Sequence, residues 1–462
     1  MEPDKLFEDI HNLTDICIIG LGPAGLGAAF TLIKADLKLN IVCIDAGDII
    51  KNRTCKILDG GQCDKKEPCS MVSGIGGAFL LGGHKFSTLP AGSSLIKILH
   101  SESLAQEKMK KAFDLLSNYI YLHPPKVKNE DMDNITKEFA KNGFEFRYYD
   151  SFLSSSIGLR TGFEEILEDM SQAGISTLPN TYLKDLKIKN DYFSINLKRD
   201  NQNYHLKTKY LILGMGRLGE DFIRKLWEEN GLNGETNHLE VGVRLEFPTE
   251  IIPDIDRLHN DLKLLYKNLR SFCVCKNGRI APYYKDGIIC LDGYSDSEIR
   301  SGYTNLAINL RLTPSPLNEE YYRTIKRNIQ EISKGLPVIQ ILPHYIQNIA
   351  GLKENKDIPT TMPTAIKGNI NEIYPDSIST ELRNGVIKFV EELFEKRDFD
   401  KIAVLAPSLE YTWPKFCINP DFSIKPHLYL IGDCTGQVRG GLQAFCSGII
   451  SAENIISEVR GR

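Results

Sequence analysis

The stretch that decides the fold is Asp15-Ile-Cys-Ile-Ile-Gly20-Leu-Gly22-Pro-Ala-Gly25, followed by Asp45 at the end of the next apolar run. A continuous apolar run closed by glycine predicts a parallel strand that is buried on both faces. Pro23 suits the first turn of a helix, which residues 24–33 continue with small and apolar side chains. Residues 40–45 then predict a second buried strand, and the whole segment predicts one βαβ unit.

The spacing of Gly20, Gly22 and Gly25 is that of a dinucleotide-binding turn. Gly20 would permit the tight turn, Gly22 would let the backbone approach a pyrophosphate, and Gly25 would let the helix lie close to the strand. The helix N-terminus at Pro23 and Ala24 would stabilise the anion. Asp45, with Ala46 beside it, would accept hydrogen bonds from ribose hydroxyls. A purely structural glycine turn is the alternative.

A second glycine-rich turn follows an apolar run near the other end of the chain, and it comprises Gly432, Asp433, Gly440, Gly441 and Leu442. This arrangement resembles the closing flavin contact of the glutathione-reductase-like FAD-binding superfamily. The resemblance implies that FAD is the cofactor and that Asp433 binds its ribityl chain. It also implies that a helix from about Gly441 points its positive end at the flavin ring.

Between these two turns lies Tyr210-Leu-Ile-Leu-Gly214-Met-Gly216-Arg217-Leu-Gly219, formally another G-x-G-x-x-G. One interpretation is an NAD(P) site, but the ribose-binding residue expected roughly 20 residues later is missing. The FAD superfamily carries a small-x-Gly turn at this point, after a helix and a β-meander such as residues 160–208. We therefore favour a second FAD contact at Gly214 and Gly216, with Arg160 matching an arginine often found before the meander.

Several segments of the second half are similar, as a set, to a family of uncharacterised FAD-dependent dehydrogenases. They are Val241-Gly-Val-Arg-Leu-Glu246, Arg270-Ser-Phe-Cys-Val-Cys275, Asp292-Gly-Tyr-Ser295 and Thr361-Met-Pro-Thr364. The chain departs from the family at residues 76–85 and 409–414. Both departures would lie near a flavin or substrate pocket, so a shifted substrate is expected.

The predicted fold class is α/β: a glutathione-reductase-like FAD-binding Rossmann domain, with a parallel sheet plus β-meander, and an inserted α+β substrate domain. The FAD-binding domain is discontinuous and comprises residues 1–100, 150–237 and 401–462. Residues 101–149 form a helical insertion, and residues 238–400 form the substrate or cap domain. A chain of 462 residues exceeds the size of a single core, which agrees with more than one domain.

Composition excludes several function classes. The 56 basic and 60 acidic residues nearly balance, so a nucleic-acid partner is not expected. Residues 1–15 lack a signal-peptide core, and no stretch approaches the roughly 18 apolar residues of a membrane span. Eleven cysteines in this length do not make a disulfide scaffold. We expect a soluble protein of the cytoplasm, with an oligomer or a partner protein left open.

The cysteines offer an alternative chemistry. Cys55, Cys63 and Cys69 follow the first βαβ unit, and Cys63 and Cys69 resemble the C-x-x-x-x-C redox loop of disulfide reductases, but with five intervening residues. The chain has no C-x-x-C, and no metal site is predicted. Cys273 and Cys275 would lie on one face of a strand, where a mutual disulfide would be strained. They are interpreted as pocket or core residues.

Flavin chemistry needs little from the protein beyond orientation and a proton donor or acceptor. The weak catalytic candidates are Arg244, Arg439, His84, Lys85 and Tyr411. The sequence thus predicts an FAD-dependent oxidoreductase that transfers a hydride between flavin and a small organic substrate, with NAD(P)H as a candidate diffusible electron donor or acceptor. The alternatives are a thiol-relay reductase using Cys63 and Cys69, and a non-catalytic FAD-binding partner subunit.

Overall fold

The chain contains two eight-stranded sheets in the computed structural model, which describes residues 13–125, 129–232, 234–235, 238–252, 260–349, 358–411 and 415–461. The strands are β1 (Thr14–Ile19), β2 (Ile41–Ile44), β3 (Lys85–Ser87), β4 (Glu145–Arg147), β5 (Ser151–Leu153), β6 (Ser176–Leu178), β7 (Tyr182–Ile188), β8 (Phe193–Arg199), β9 (Gln202–Leu213), β10 (Gly234–Glu235), β11 (Leu239–Pro248), β12 (Lys263–Tyr266), β13 (Leu269–Cys275), β14 (Arg279–Lys285), β15 (Ile288–Tyr294), β16 (Tyr303–Leu312), β17 (Val338–Ile341), β18 (Ile366–Lys367), β19 (Ala403–Tyr411), β20 (Lys415–Phe416), β21 (Ser423–Lys425) and β22 (Leu428–Leu430).

The helices lie mainly on the faces of these sheets. They are α1 (Pro23–Ile33), α2 (Ser94–Leu99), α3 (Glu102–Ser117), α4 (Asn129–Lys141), α5 (Ser156–Gln172), α6 (Glu220–Asn230), α7 (Leu317–Ser333), α8 (Leu342–Gln347), α9 (Asp376–Leu393) and α10 (Gly441–Arg460). None of the helices within the described ranges has the length and apolar character needed to cross a membrane.

The first sheet is a Rossmann-type parallel sheet with an antiparallel meander. Its order is β21-β22-β9-β1-β2-β6, with β8 joined to β9 and β7 joined to β8. β1 runs parallel to both β2 and β9, and β22 runs parallel to β9. Every residue of β2 is buried, as expected for a strand covered on both faces. The predicted βαβ unit and the parallel sheet with its β-meander are confirmed.

α1 and α10 pack closely against each other on one face of this sheet. A Cβ added at Gly27 of α1 would lie 2.3 Å from the carbonyl oxygen of Phe445. A Cβ at Gly448 of α10 would lie 2.0 Å from the carbonyl oxygen of Ala24. Two glycines therefore set the distance between the first and last helices of the domain, and Phe30 and Ile449 are buried beside them.

The second sheet has the order β18-β17-β19-β11-β16-β13-β12-β4 and is largely antiparallel. Nine of the ten residues of β11 are buried, which makes this strand the centre of a second core. Buried side chains of α7 and α9, among them Ile325, Ile329, Val386 and Phe389, belong to the same core. The middle of the chain thus folds as an α+β unit, as the sequence predicts.

Two predicted domain boundaries cut through this arrangement. β19 begins at Ala403, after the boundary at 401, yet it lies in the second sheet between β17 and β11. The predicted insertion 101–149 does not form one unit, because α3 contributes to the first core whereas α4 and β4 belong to the second. An apolar strand such as β19 is equally suited to either sheet, and its pairing partners are not encoded locally.

Replacement of Gly448 by alanine tests the contact between α1 and α10. We expect G448A to lower the free energy of unfolding by about 1–3 kcal/mol, because overpacking outweighs the gain of about 1 kcal/mol in helix propensity. The exposed Ser457 of the same helix provides the matched control, and S457A should change the value by less than about 0.5 kcal/mol. Urea unfolding measures both. Equal stability of the two variants would contradict the close contact.

Candidate cofactor site at the carboxyl edge of the first sheet

Three glycine turns meet at one edge of the first sheet. Gly20, Gly214 and Gly432 each follow a parallel strand, and these strands are neighbours in the sheet: β1, β9 and β22. A Cβ at Gly20, where φ is +93°, would lie 2.3 Å from the carbonyl oxygen of Gly214. A Cβ at Gly432, where φ is +67°, would lie 2.9 Å from the Cβ of Ala24. Motifs that are far apart in the sequence therefore form one surface.

Two helices present their N-termini next to these turns. Gly22 precedes α1 and Gly440 precedes α10, and neither helix has a side chain that caps its first turn. A Cβ at Gly25 would lie 1.9 Å from the carbonyl oxygen of Gly20, which matches the close helix packing predicted for this glycine. At Gly216 the added Cβ would have open space around it, with no atom of the described residues within 4 Å apart from those of Gly216 and its two chain neighbours. Backbone N–H groups at such helix ends favour bound anions.

The Asp45 carboxylate is held by the backbone of the same region. Its Oδ2 accepts a hydrogen bond of 2.8 Å from the Leu21 N–H, and its Oδ1 accepts one of 2.8 Å from the Gly47 N–H. Burial raises the pKa of Asp45, while these hydrogen bonds act in the opposite direction. Asp45 thus fastens the glycine turn to the end of β2, with Ala46 half-buried beside it. A ribose contact stays a prediction.

A glycine-rich segment, which lies within residues 54–94, packs across the turn of Gly20 and Gly22. Its glycine content indicates a backbone that approaches another group closely. The Gly76 N–H donates to the carbonyl oxygen of Leu21 at 2.8 Å. A Cβ at Gly77 would lie 2.8 Å from the Cα of Gly22. The backbone of this segment therefore comes within contact distance of the glycine turn, at a separation that excludes larger residues.

Arg53, which the sequence interpretation missed, holds this segment in place. Its guanidinium is fully buried. It donates hydrogen bonds to the carbonyl oxygens of Ser70, Gly74, Ile75 and Gly77. An arginine in a loop is usually exposed, so the residue type does not predict burial. The only sequence signal for the role of Arg53 is its position just before the glycine-rich segment.

Arg160 also contacts backbone. Its guanidinium donates to the carbonyl oxygens of Ile50 at 2.9 Å and Arg53 at 3.0 Å. It lines a cavity of about 180 Å³ together with Arg279 and Tyr294. The predicted FAD contact of Arg160 stays a prediction, and its observed contacts are with the segment that carries Arg53.

A charged cleft lies where the second and third glycine turns face the second sheet. Arg439 donates to the Glu410 carboxylate at 2.7 Å, and its Nε lies 3.7 Å from Asp433. Arg217 lies 3.5 Å from Asp292 and shares the lining of the cleft with these residues. Burial raises the pKa of Glu410 despite the opposing charges of Arg439 and Arg217. The structure thus brings the predicted Asp433 and Arg439 together.

Sequence reasoning assigned no role to Arg217 or Glu410. Arg217 directly follows the turn of Gly214 and Gly216, and Glu410 directly precedes Tyr411. Each is therefore adjacent in sequence to a predicted site residue. Tyr411 ends β19, but its side chain lies outside the described part of the chain. The signal that would have found Glu410 is the departure of residues 409–414 from the family pattern.

The remaining catalytic candidates do not join this cleft. His84 is fully buried, its Nε2 lies 3.1 Å from the carbonyl oxygen of Leu80, and burial lowers its pKa to about 4. Lys85 pairs with Asp261 at 3.3 Å, and Arg244 bonds to Asn305 at 2.5 Å. Lys85 and Arg244 instead gather around Cys273 and Cys275.

The cysteines near the first βαβ unit are free thiols. Cys63 accepts a hydrogen bond from the Lys65 N–H at 3.3 Å, and Cys69 accepts one from the Tyr284 N–H at 3.3 Å. Burial raises the pKa values of Cys55 and Cys69. Within the described ranges, no group of three or more histidine, cysteine or acidic side chains could hold a metal ion.

No protein-family model and no curated protein matches the chain. Among solved structures it is similar to a geranylgeranyl bacteriochlorophyll reductase-like protein from Thermoplasma acidophilum, with 11% identity, 97% of this chain and 79% of that chain covered, and a TM-score of 0.42. A flavoprotein/dehydrogenase from Cytophaga hutchinsonii gives the same four values. A mutant of the halogenase PltM in complex with FAD gives 12% identity, 97% and 70% coverage, and a TM-score of 0.43. At these values the function has to be argued from the site itself.

Removal of the Arg53 guanidinium tests the role of this residue. We expect R53M to lower the free energy of unfolding by about 2–4 kcal/mol, because it leaves several buried carbonyl groups without a donor. The exposed Lys51 is the matched control, and K51M should stay within about 0.5 kcal/mol of the unmodified protein. The measurement is urea unfolding followed by circular dichroism. An R53M protein as stable as K51M would rule out this role.

Proposed function

We propose that the chain is an FAD-dependent oxidoreductase of the glutathione-reductase-like type. The observation that supports this most is the meeting of the turns at Gly20, Gly214 and Gly432 at the carboxyl ends of three adjacent parallel strands. In open α/β sheets, ligands bind outside the carboxyl ends of the strands. A structural glycine turn accounts for one such motif but gives no reason for three at one edge.

The residues present fit an extended dinucleotide. The turn of Gly20, Gly22 and Gly25, with the α1 N-terminus, would hold the pyrophosphate, and Asp45 would contact the ribose. The turn at Gly214 and Gly216 would form a second contact. Two uncapped helix N-termini and an open space beside Gly216 support this fit.

The flavin end would lie at the third turn. Asp433 would bind the ribityl chain, and Gly440, Gly441 and Leu442 would place the positive end of α10 near the ring. Bound FAD would supply a two-electron acceptor or donor. The chain itself contributes orientation and charge, because the α10 N-terminus stabilises negative charge in its neighbourhood.

The charged cleft has a volume of only about 20 Å³ and is the proposed site for the anionic group of a substrate. Arg217 and Arg439 are cations that would orient a small organic substrate through an anionic group. Glu410 lies 2.7 Å from Arg439, and its raised pKa suits a side chain that holds or receives a proton at its carboxylate oxygens. The proposed reaction is a hydride transfer with this substrate, with NAD(P)H as the candidate diffusible electron donor or acceptor.

The alternatives have less support. A relay through Cys63 and Cys69 needs a reactive thiolate, and burial raises the pKa of Cys69. A non-catalytic FAD-binding partner subunit would share the same cofactor contacts, and substrate turnover separates it from an enzyme. A cytoplasmic location, and an oligomer or partner protein, stay predictions from the sequence.

The visible absorption of the purified protein tests the cofactor. We expect stoichiometric FAD, retained after purification or bound on reconstitution. Asp433→Ala should weaken FAD binding about tenfold or more, because it removes a charged hydrogen-bond acceptor. Gly22→Trp should abolish binding, because an indole would fill the space in front of the α1 N-terminus. Fluorescence titration with free FAD gives the dissociation constants.

Asp200→Ala is the matched control for the charge change, because the Asp200 side chain is 83% exposed. This variant should bind FAD like the unmodified protein, and circular dichroism should show that all three variants are folded. Protein that binds no FAD after reconstitution would refute the proposed cofactor. An Asp433→Ala variant with the affinity of Asp200→Ala would exclude the ribityl contact.

A further inference from the structure

The side chains of Cys273 and Cys275 meet at a bulge in β13, where their Sγ atoms are separated by 3.7 Å. The pairing of β13 with β16 shifts between Phe272 and Cys275, and Cys273 has a left-handed φ of +47°. The strain expected for a mutual disulfide in a regular strand therefore does not apply to this backbone.

Gly293 of β15 makes room for the two sulfur atoms. A Cβ added at Gly293 would lie 2.4 Å from Sγ of Cys275, 3.0 Å from Sγ of Cys273 and 2.8 Å from Nη1 of Arg244. The two thiols and the guanidinium thus meet at one point on the hairpin of β14 and β15. Any side chain at position 293 would displace at least one of them.

Two buried cations surround the thiol pair. Lys85 donates to the carbonyl oxygen of Val274, the residue between the cysteines, and Arg244 donates to the carbonyl oxygen of Cys273 at 3.2 Å. The Arg244 side chain is fully buried, and its Nε and Nη2 have no hydrogen-bond acceptor among the residues that the structure describes. Nη2 lies 3.7 Å from Oδ1 of Asp292, and Lys85 pairs with Asp261 at 3.3 Å, so the two cations are shared between these carboxylates and the sulfur atoms.

The surroundings shift the pKa values of the two thiols in opposite directions. Burial opposes ionisation of Cys275, but the hydrogen bond from Cys273 and the charges of Lys85 and Arg244 outweigh it and lower the pKa of Cys275 to about 6. The hydrogen bond to Cys275 and burial raise the pKa of Cys273. The two sulfurs thus form a hydrogen-bonded pair in which Cys275 is the more readily ionised member.

We propose that Cys273 and Cys275 form a redox-active dithiol that is oxidised to an intramolecular disulfide by exchange with small disulfides. This inference does not depend on bound flavin. It concerns thiols other than Cys63 and Cys69, the pair named in the alternative of a thiol-relay reductase.

The exchange proceeds in two balanced steps. Cys273 is a half-buried residue and Cys275 is buried. The Cys275 sulfur, which ionises more readily, takes the proton of Cys273 as the Cys273 sulfur attacks one sulfur of R–S–S–R, which breaks that bond and releases R–S⁻. Cys275 then gives up its proton, forms the bond to Sγ of Cys273 and releases the second R–S⁻. Two electrons pass from the dithiol to the small disulfide, and the released thiolates take up protons.

Peptide mapping of the full-length protein tests the proposal. The reduced protein is incubated with oxidised glutathione, free thiols are alkylated, and trypsin then cuts after Arg270 and Lys276, so that both cysteines lie on one peptide. We expect this peptide to lose two hydrogen atoms and to escape alkylation, and dithiothreitol should restore alkylation at both positions. This measurement needs only the unmodified protein, so its result does not depend on whether a variant folds.

Variants sharpen the assignment. The double variant Cys63→Ser with Cys69→Ser is the matched control and should form the same disulfide. Cys275→Ser should stop at one glutathione on Cys273. A peptide that stays fully alkylated in excess oxidised glutathione, with no reduced glutathione added, would overturn the proposal. So would a disulfide that maps to another pair.

Discussion

Close backbone approach at the carboxyl edge of the first sheet is the constraint on which the rest of the structure depends. The turn after β1 touches the turn after β9, and α1 lies directly on the first of them. At Gly20 and Gly25 an added Cβ would fall within 2.3 Å of a carbonyl oxygen. These contacts bring two helix N-termini to one place, and neither N-terminus is capped by a side chain. The same turns carry Arg217 and Asp433, whose charged side chains line the cleft that faces the second sheet. The turns therefore also influence the position of that sheet.

Ion pairs connect the elements that follow the glycine turns to strands from the middle of the chain. Lys285 of β14 pairs with Glu220 of α6 at 2.6 Å, and Arg439 pairs with Glu410 of β19 at 2.7 Å. Asp292 lies between Arg217 at 3.5 Å and Arg244 at 3.7 Å. Through Asp292 the charged cleft and the thiol pair become neighbours. A change of charge at either place would alter the electrostatic potential at the other.

The sequence predicted the parts of this molecule that depend on local chemistry. The turn at Gly20, the helix after Pro23 and the turn at Gly432 each carry their signals within a few residues. Arg53 and Glu410 could not be predicted, because burial of a charged side chain depends on distant carbonyl groups and cations. The bulge at Cys273 was equally inaccessible, since period-two alternation is the default for a strand and a left-handed cysteine leaves no trace in composition. The sheet that β19 joins depends on pairing over a long sequence separation.

The position of β19 and β22 also bears on how the chain folds as it is synthesised. β19 is inserted between β17 and β11, and β22 pairs with β9, so each sheet receives a strand from residues 403–430, far along the chain from its partners. Until those strands emerge from the ribosome, β11 and β9 each present an unpaired apolar edge, a known template for aggregation. Neither core can close before these strands are synthesised, and until then the nascent chain depends on shielding of these edges.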